Sequence, residues 1–234
     1  IFYAFFYVIM NIYSRKKYSI MGSSSNEKNT YVIAEIGNNH EGDVELAKEM
    51  ICLASEAGCD AVKFQTIRPE LLVSPENIER ISQLRKFELS CSDFINLKKL
   101  ADQVKIDFLS TPFDEDSVSF LNQLVSIFKV SSGDLTYYQL LRKIAETGKP
   151  IFLSTGMATL NEVIDSSSYI QKIWDKNLIK GKLTILHCVS AYPTPIDQSN
   201  LDAIKTLKSL GYPVGYSDHT IGNKACALAV ALGA

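Results

Sequence analysis

From Tyr31 onward the chain repeats one pattern seven times: a short apolar run with β-branched residues, then a segment with apolar residues at helical spacing. The strand patterns are Tyr31–Gly37, Asp60–Thr66, Asp107–Thr111, Ile127–Ser131, Pro150–Ser154, Lys182–Cys188 and Val214–Ser217. Helix patterns follow at Val44–Ala57, Asp93–Val104, Asp114–Leu124, Tyr137–Thr147, Leu160–Trp174, Asn200–Leu210 and Lys224–Leu232. Strict alternation demands a parallel sheet with right-handed crossovers. Strands that are apolar throughout belong to a sheet covered on both faces. An open doubly wound sheet and a closed barrel both satisfy this. No G-x-G-x-x-G follows the first strand and no G-x-x-x-x-G-K-[ST] occurs, which removes support for nucleotide-binding open sheets. The expected fold is therefore α/β, a (β/α)8 TIM barrel truncated after the seventh β/α unit, because ACALAVALGA stops within a helix pattern.

Two stretches break the rhythm. Ile67–Ser92 is long, polar and charged and reads as a functional insertion, with Ser92 as a candidate cap for the helix after it. Residues 1–28 form a leader: IFYAFFYVIMNIY is apolar but too short to span a bilayer, which takes about 20 residues. Its charges follow the apolar run, the reverse of a signal peptide. The leader is read as non-core, with residues 1–20 non-native or upstream-translated sequence, and the folded domain as residues 29–234. A membrane-surface anchor is the alternative, to be revealed by loss from the membrane fraction on deleting residues 1–20.

A formal charge of −2 over 234 residues, with no basic run, gives no support for nucleic-acid binding. Five cysteines without a C-x-x-C pair argue against a disulfide framework and for a reducing, cytoplasmic location.

In a barrel of this kind the chemistry sits at the C-terminal ends of the strands. Those ends carry Glu35 with Asn38, Asn39 and His40, then Lys63 and Gln65, then Ser110 and Thr111. Lys129 follows with Ser132 and Asp134, then Ser154, His187, and finally Asp218 and His219. Each has an ordinary alternative: Lys63 and Lys129 in ion pairs with Glu35 or Asp134, hydroxyls as helix caps, histidines hydrogen-bonded at strand ends. Taken together, two lysines with hydroxyls make an anion site. Two imidazoles on neighbouring strands, His187 and His219, make a start for a metal site.

The segments IAEIGNNHEGD, AVKFQT, FLSTPFD, FKVSSGD, IFLSTGM, LHCVSAYPTP and GYSDHTIG strongly resemble the N-acetylneuraminate (sialic acid) synthase family, which includes the legionaminate and pseudaminate synthases. The likeness runs from about Tyr31 to Ala234. It implies a barrel that condenses phosphoenolpyruvate with an N-acylated aldose, N-acetylmannosamine or a related 2,4-diacetamido hexose. The product is a nine-carbon 2-keto acid, and phosphate is released. It further implies a divalent metal, Mn2+, on His187 and His219. Lys63, Thr111, Lys129, Ser132 and Ser154 would surround phosphoenolpyruvate, and Glu35, Gln65 and Asp134 would lie near the sugar. Glu35 would order the sugar or move a proton. The family often has Glu at the place of Asp134. Its small C-terminal antifreeze-like domain lies outside this sequence, and the full-length form would be a homodimer. The alternatives are a non-catalytic truncated barrel and another phosphoenolpyruvate–aldose condensing barrel acting on a phosphorylated sugar.

Overall fold

The computed structural model describes the backbone of residues 5–10 and the whole of residues 30–234. Its strands are β1 (Phe5–Met10), β2 (Thr30–Gly37), β3 (Ala61–Thr66), β4 (Asp107–Pro112), β5 (Phe128–Val130), β6 (Ile151–Ser154), β7 (Leu183–Cys188) and β8 (Val214–Ser217). The helices are α1 (Val44–Glu56), α2 (Pro69–Leu72), α3 (Ile78–Arg85), α4 (Cys91–Gln103), α5 (Glu115–Leu121), α6 (Tyr138–Ala145), α7 (Leu160–Asn177), α8 (Ala203–Lys208) and α9 (Lys224–Ala231). The seven strands read from the sequence are β2 to β8, each within about two residues of its expected ends. With β1 they form one eight-stranded sheet in the order β4-β3-β2-β1-β8-β7-β6-β5, and the end strands β4 and β5 pack against each other, so the sheet curls round on itself.

β2 to β8 run parallel wherever they pair, and β1 runs antiparallel to both its neighbours. Phe5 lies opposite Glu35 and Met10 opposite Thr30 on one side; Tyr7 lies opposite Ser217 on the other. This corrects the expectation that residues 1–28 stand wholly apart from the core. β2 and β8 would otherwise present two unpaired edges, and β1 supplies hydrogen-bond partners to both. The remainder of the expected leader lies outside the described residues.

Local chemistry fixes the helix ends. The Asp43 side chain accepts hydrogen bonds from the Glu45 and Leu46 amides and starts α1. The cap of α4 is Ser90, not Ser92. Ser90 Oγ accepts from the Asp93 amide while an Asp93 carboxylate oxygen accepts from the Ser90 amide, and this reciprocal pair needs an acid three residues after the cap. Thr159 and Glu162 make the same box at α7. The long segment after β3 is ordered into α2 and α3, tied together by an Arg85–Glu70 ion pair and to the α5 cap region by Arg68 with Asp114 and Asp116.

Alternate residues on each strand face opposite sides of the sheet. On the outer side Val62, Phe64, Phe108, Phe128, Val130, Leu153, Ile185 and Tyr216 pack under the helices in the main core. On the inner side Ile33, Ala61, Leu109, Ile127, Phe152 and Leu186 form a separate apolar cluster. That cluster is the floor on which the candidate site stands.

Candidate active site

Two residues along from each floor position, the same face of the strand presents a different kind of side chain. Ile33 leads to Glu35, Ala61 to Lys63, Leu109 to Thr111, Ile127 to Lys129, Phe152 to Ser154 and Leu186 to Cys188. All six are buried. A period of two on six strands thus builds a polar layer directly above an apolar one. The layer lies at the C-terminal ends of the strands, where the sequence reading put it.

The layer is internally bonded. Lys63 Nζ sits 2.6 Å from Glu35 Oε2 and donates to Thr111 Oγ1 at 3.3 Å. Lys129 Nζ donates to Ser154 Oγ at 2.6 Å and to the Val130 carbonyl at 2.7 Å. Burial brings the Lys129 ammonium down to about 7, with the Lys63 charge adding to the shift and Glu35 and Asp134 opposing it. Burial pushes the Glu35 carboxyl up, against the pull of Lys63 and Lys129. Burial also raises Asp134 to about 6, with Lys129 pulling the other way. Two lysines and two hydroxyls are thus buried side by side with Glu35 as the carboxylate on Lys63, and burial makes the Lys129 charge costly.

Beyond the strands, Ser132 Oγ accepts from the Gly156 amide at 3.0 Å and lies 3.1 Å from Cys188 Sγ. A side chain at Gly156 would crowd Ser190 Oγ, Cys188 Sγ and Ser132 Oγ, which would have to turn away and give up the present contacts. On the other side of the mouth, a pocket of about 350 Å3 is lined by Glu35, Gly37, Asn38, Asn39, Glu41, Gln65, Phe87, Tyr192 and His219. Asn38 Nδ2 donates to Gln65 Oε1 at 3.0 Å. Gln65 donates to the Glu35 carboxylate, while Asn38 Oδ1 in this pocket and Asp134 Oδ2 outside its lining are buried without a hydrogen-bond donor among the described residues. Buried acceptors without donors are unusual and call for a ligand that brings hydroxyl or amide hydrogens.

The two histidines do not meet. His187 is odd in β7, on the same face as Leu183 and Ile185, and so points outward under the helices. Its Nε2 is bonded to the Ser199 carbonyl at 2.9 Å and its ring stacks on Tyr216 with centroids 5.7 Å apart. His219 follows the end of β8 and does face the mouth. Its Nδ1 is 2.6 Å from the Val189 carbonyl, which puts the proton on Nδ1 and the lone pair on Nε2, and its ring lies 4.2 Å from that of Tyr192. The described side-chain bonds therefore turn the two rings to different partners, and the His187–His219 metal pair stands as an expectation. The described residues contain no group of three His, Cys, Asp or Glu side chains arranged to hold a metal.

Glu35, Lys63, Thr111, Lys129, Ser132, Asp134, Ser154, Gln65 and His219 are thus brought to one mouth, and His187 is not. Cys188 and Phe87 also line the mouth and were not among the expected site residues, whereas Asn38 was named with the strand ends. Cys188 carried a signal, two positions beyond Leu186. Phe87 carried none, because it comes from a connection rather than a strand.

With this geometry in hand, the comparisons with known proteins have a definite meaning. The NeuB family model matches residues 50–234. The chain belongs to the NeuB family. This NeuB-family chain is 45% identical over 207 residues to an uncharacterised protein of Methanocaldococcus jannaschii, covering 88% of this chain and 60% of that one. It is 41% identical over 222 residues to the N,N'-diacetyllegionaminic acid synthase of Campylobacter jejuni, covering 88% of this chain and 66% of that one. Among solved structures it resembles the N-acetylneuraminic acid synthetase of Leptospira borgpetersenii in complex with citrate. The TM-score there is 0.82 at 36% identity, over 91% of this chain and 74% of that one. The chain spans about three fifths to two thirds of the curated relatives it matches. No helix among the described residues is long and apolar enough to cross a membrane.

Proposed function

We propose that this chain is the barrel of an enzyme that condenses phosphoenolpyruvate with an N-acylated aldose to give a nine-carbon 2-keto sugar acid and phosphate. In this reading the fold is a (β/α)8 barrel with seven β/α units and β1 in the eighth strand's place. The observation that carries the proposal is the buried polar layer, with Lys63 and Lys129 among hydroxyls on an apolar floor beside a pocket that holds the unsatisfied Asn38 Oδ1.

Lys129, Lys63, Thr111, Ser154 and Ser132 hold the carboxylate and phosphate of phosphoenolpyruvate. Taking two anions relieves the cost that depresses the Lys129 ammonium. Glu35, Asn38 and Gln65 take hydroxyl and amide hydrogens of the open-chain sugar, whose aldehyde carbon is thereby set against C3 of phosphoenolpyruvate. C3 attacks the aldehyde, water adds at C2, and the C2–O bond to phosphate breaks. Glu35, raised by burial, is the group placed to hand a proton to the aldehyde oxygen. The resemblance adds a divalent metal, Mn2+, and a homodimer closed by a C-terminal antifreeze-like domain, and the cysteine usage adds a cytoplasmic location. At this mouth His219 and the carboxylates of Glu35 and Glu41, in the same pocket lining, would be the groups to hold such a metal, which would polarise the aldehyde.

The test is phosphate release from phosphoenolpyruvate by the full-length protein, with each sugar offered in turn. Release that requires an N-acyl aldose, falls roughly 100-fold or more in Lys129→Ala and persists in His187→Ala is the expected result. Release without sugar contradicts it, while loss in His187→Ala with the fold intact would return His187 to the machinery of the same reaction.

A further inference from the structure

The sugar side of the mouth has one wall that the proposed reaction does not demand. Phe87 lies in the turn between α3 and α4, half-buried, and lines the 350 Å3 pocket. Leu84 and Leu89 on either side of it are buried and pin the turn to the body of the protein. The main chain beside it is pressed onto the β2–α1 turn. A side chain at Gly42, whose φ is +84°, would fall on the Lys86 carbonyl oxygen. The Gly42 amide in turn donates to His40 Nδ1 at 3.0 Å, and the buried His40 ring packs on Phe64 with centroids 6.0 Å apart. Phe87, a residue of the pocket lining, is thus held in place by backbone-level contacts traceable to the core.

Its surroundings make it conspicuous. Glu35, Asn38, Asn39, Glu41 and Gln65 offer carboxylates and amides, and no Lys or Arg lines the pocket among the described residues. An apolar ring there rewards a ligand only if the ligand has an apolar group to set against it. A phosphate on the sugar would meet Glu35 and Glu41 with no cation among the lining side chains to receive it.

We propose that Phe87 is a specificity-determining residue for the aldose, packing on a methyl group, acyl or deoxygenated, of an uncharged sugar. The inference rests on the reaction proposed above and narrows its substrate to unphosphorylated N-acyl aldoses.

The experiment measures phosphate release by the full-length protein against N-acetylmannosamine, its 6-phosphate and a 2,4-diacetamido-2,4,6-trideoxy hexose. Phe87→Ser and Phe87→Leu are compared with the parent, and melting temperatures report folding. Phe87→Ser is expected to raise the sugar KM roughly 10-fold or more while the phosphoenolpyruvate KM stays unchanged, with Phe87→Leu restoring most of the loss. The 6-phosphate is expected to be used at least about 10-fold less well than the free sugar. A larger effect on the deoxygenated sugar identifies the deoxy methyl as the contact; an equal effect identifies the acyl methyl. An unchanged sugar KM in Phe87→Ser, or preference for the 6-phosphate, overturns the inference and leaves the reaction standing. If the parent releases no phosphate with any sugar, the reaction falls, and calorimetric titration with the same sugars decides. Binding weakened by Phe87→Ser supports the contact, and binding unaltered or absent overturns it.

Discussion

Lys129 has to carry its charge where the surroundings resist it. Burial and the Lys63 charge bring its ammonium to about 7, so it is protonated below that pH and neutral above it in the empty site. Affinity for an anion held by Lys129 should then fall as pH rises from about 7 to about 9, by at most about tenfold per unit. Titrating phosphoenolpyruvate across that range reads it, and Lys129→Met should flatten the slope. The residues of this layer were legible in the sequence because polar side chains within apolar runs are costly, which singled out Lys63 and Lys129. His187 was singled out by residue type, without regard to its parity on β7. Leu183, Ile185 and His187 share a face, and the even residues Leu186 and Cys188 face inward.

At the scale of elements, periodicity located every strand after Tyr31, since a sheet covered on both faces needs compact apolar runs. Helix starts were less legible: α4 begins at Cys91 because Asp93 can bond back to Ser90, a reciprocity that a lone Ser92 does not offer. The 67–92 connection was recognised as an insertion, but its role in walling the pocket depends on Gly42 and Lys86 meeting in space. Gly42→Ala is expected to force that contact apart and strain a left-handed backbone, costing about 1–3 kcal/mol. The sugar KM should rise and the phosphoenolpyruvate KM hold, which steady-state kinetics and thermal unfolding check together. Equal loss on both substrates would mean that the turn supports the whole mouth rather than its sugar side.

For the molecule as a whole, the least legible element was β1. Its apolar, aromatic run resembled a leader because it precedes a charged stretch and breaks the β/α rhythm, yet six of its residues pair antiparallel between β2 and β8. Closing two edges is a demand of the assembled sheet, invisible in any one segment. Deleting residues 1–20 should lower the melting temperature by roughly 5 °C or more, since about 1 kcal/mol moves a chain of this size by ~2–4 °C. An unchanged melting curve would show that β2 and β8 do not depend on β1.

The central claim is that the layer above the apolar floor is an anion site for phosphoenolpyruvate. Calorimetric titration of phosphoenolpyruvate into the full-length protein, its Lys129→Met variant and its His187→Ala variant tests it most directly. The account predicts binding that is lost in Lys129→Met and retained in His187→Ala, with both variants folded. Binding of equal strength in Lys129→Met would contradict it.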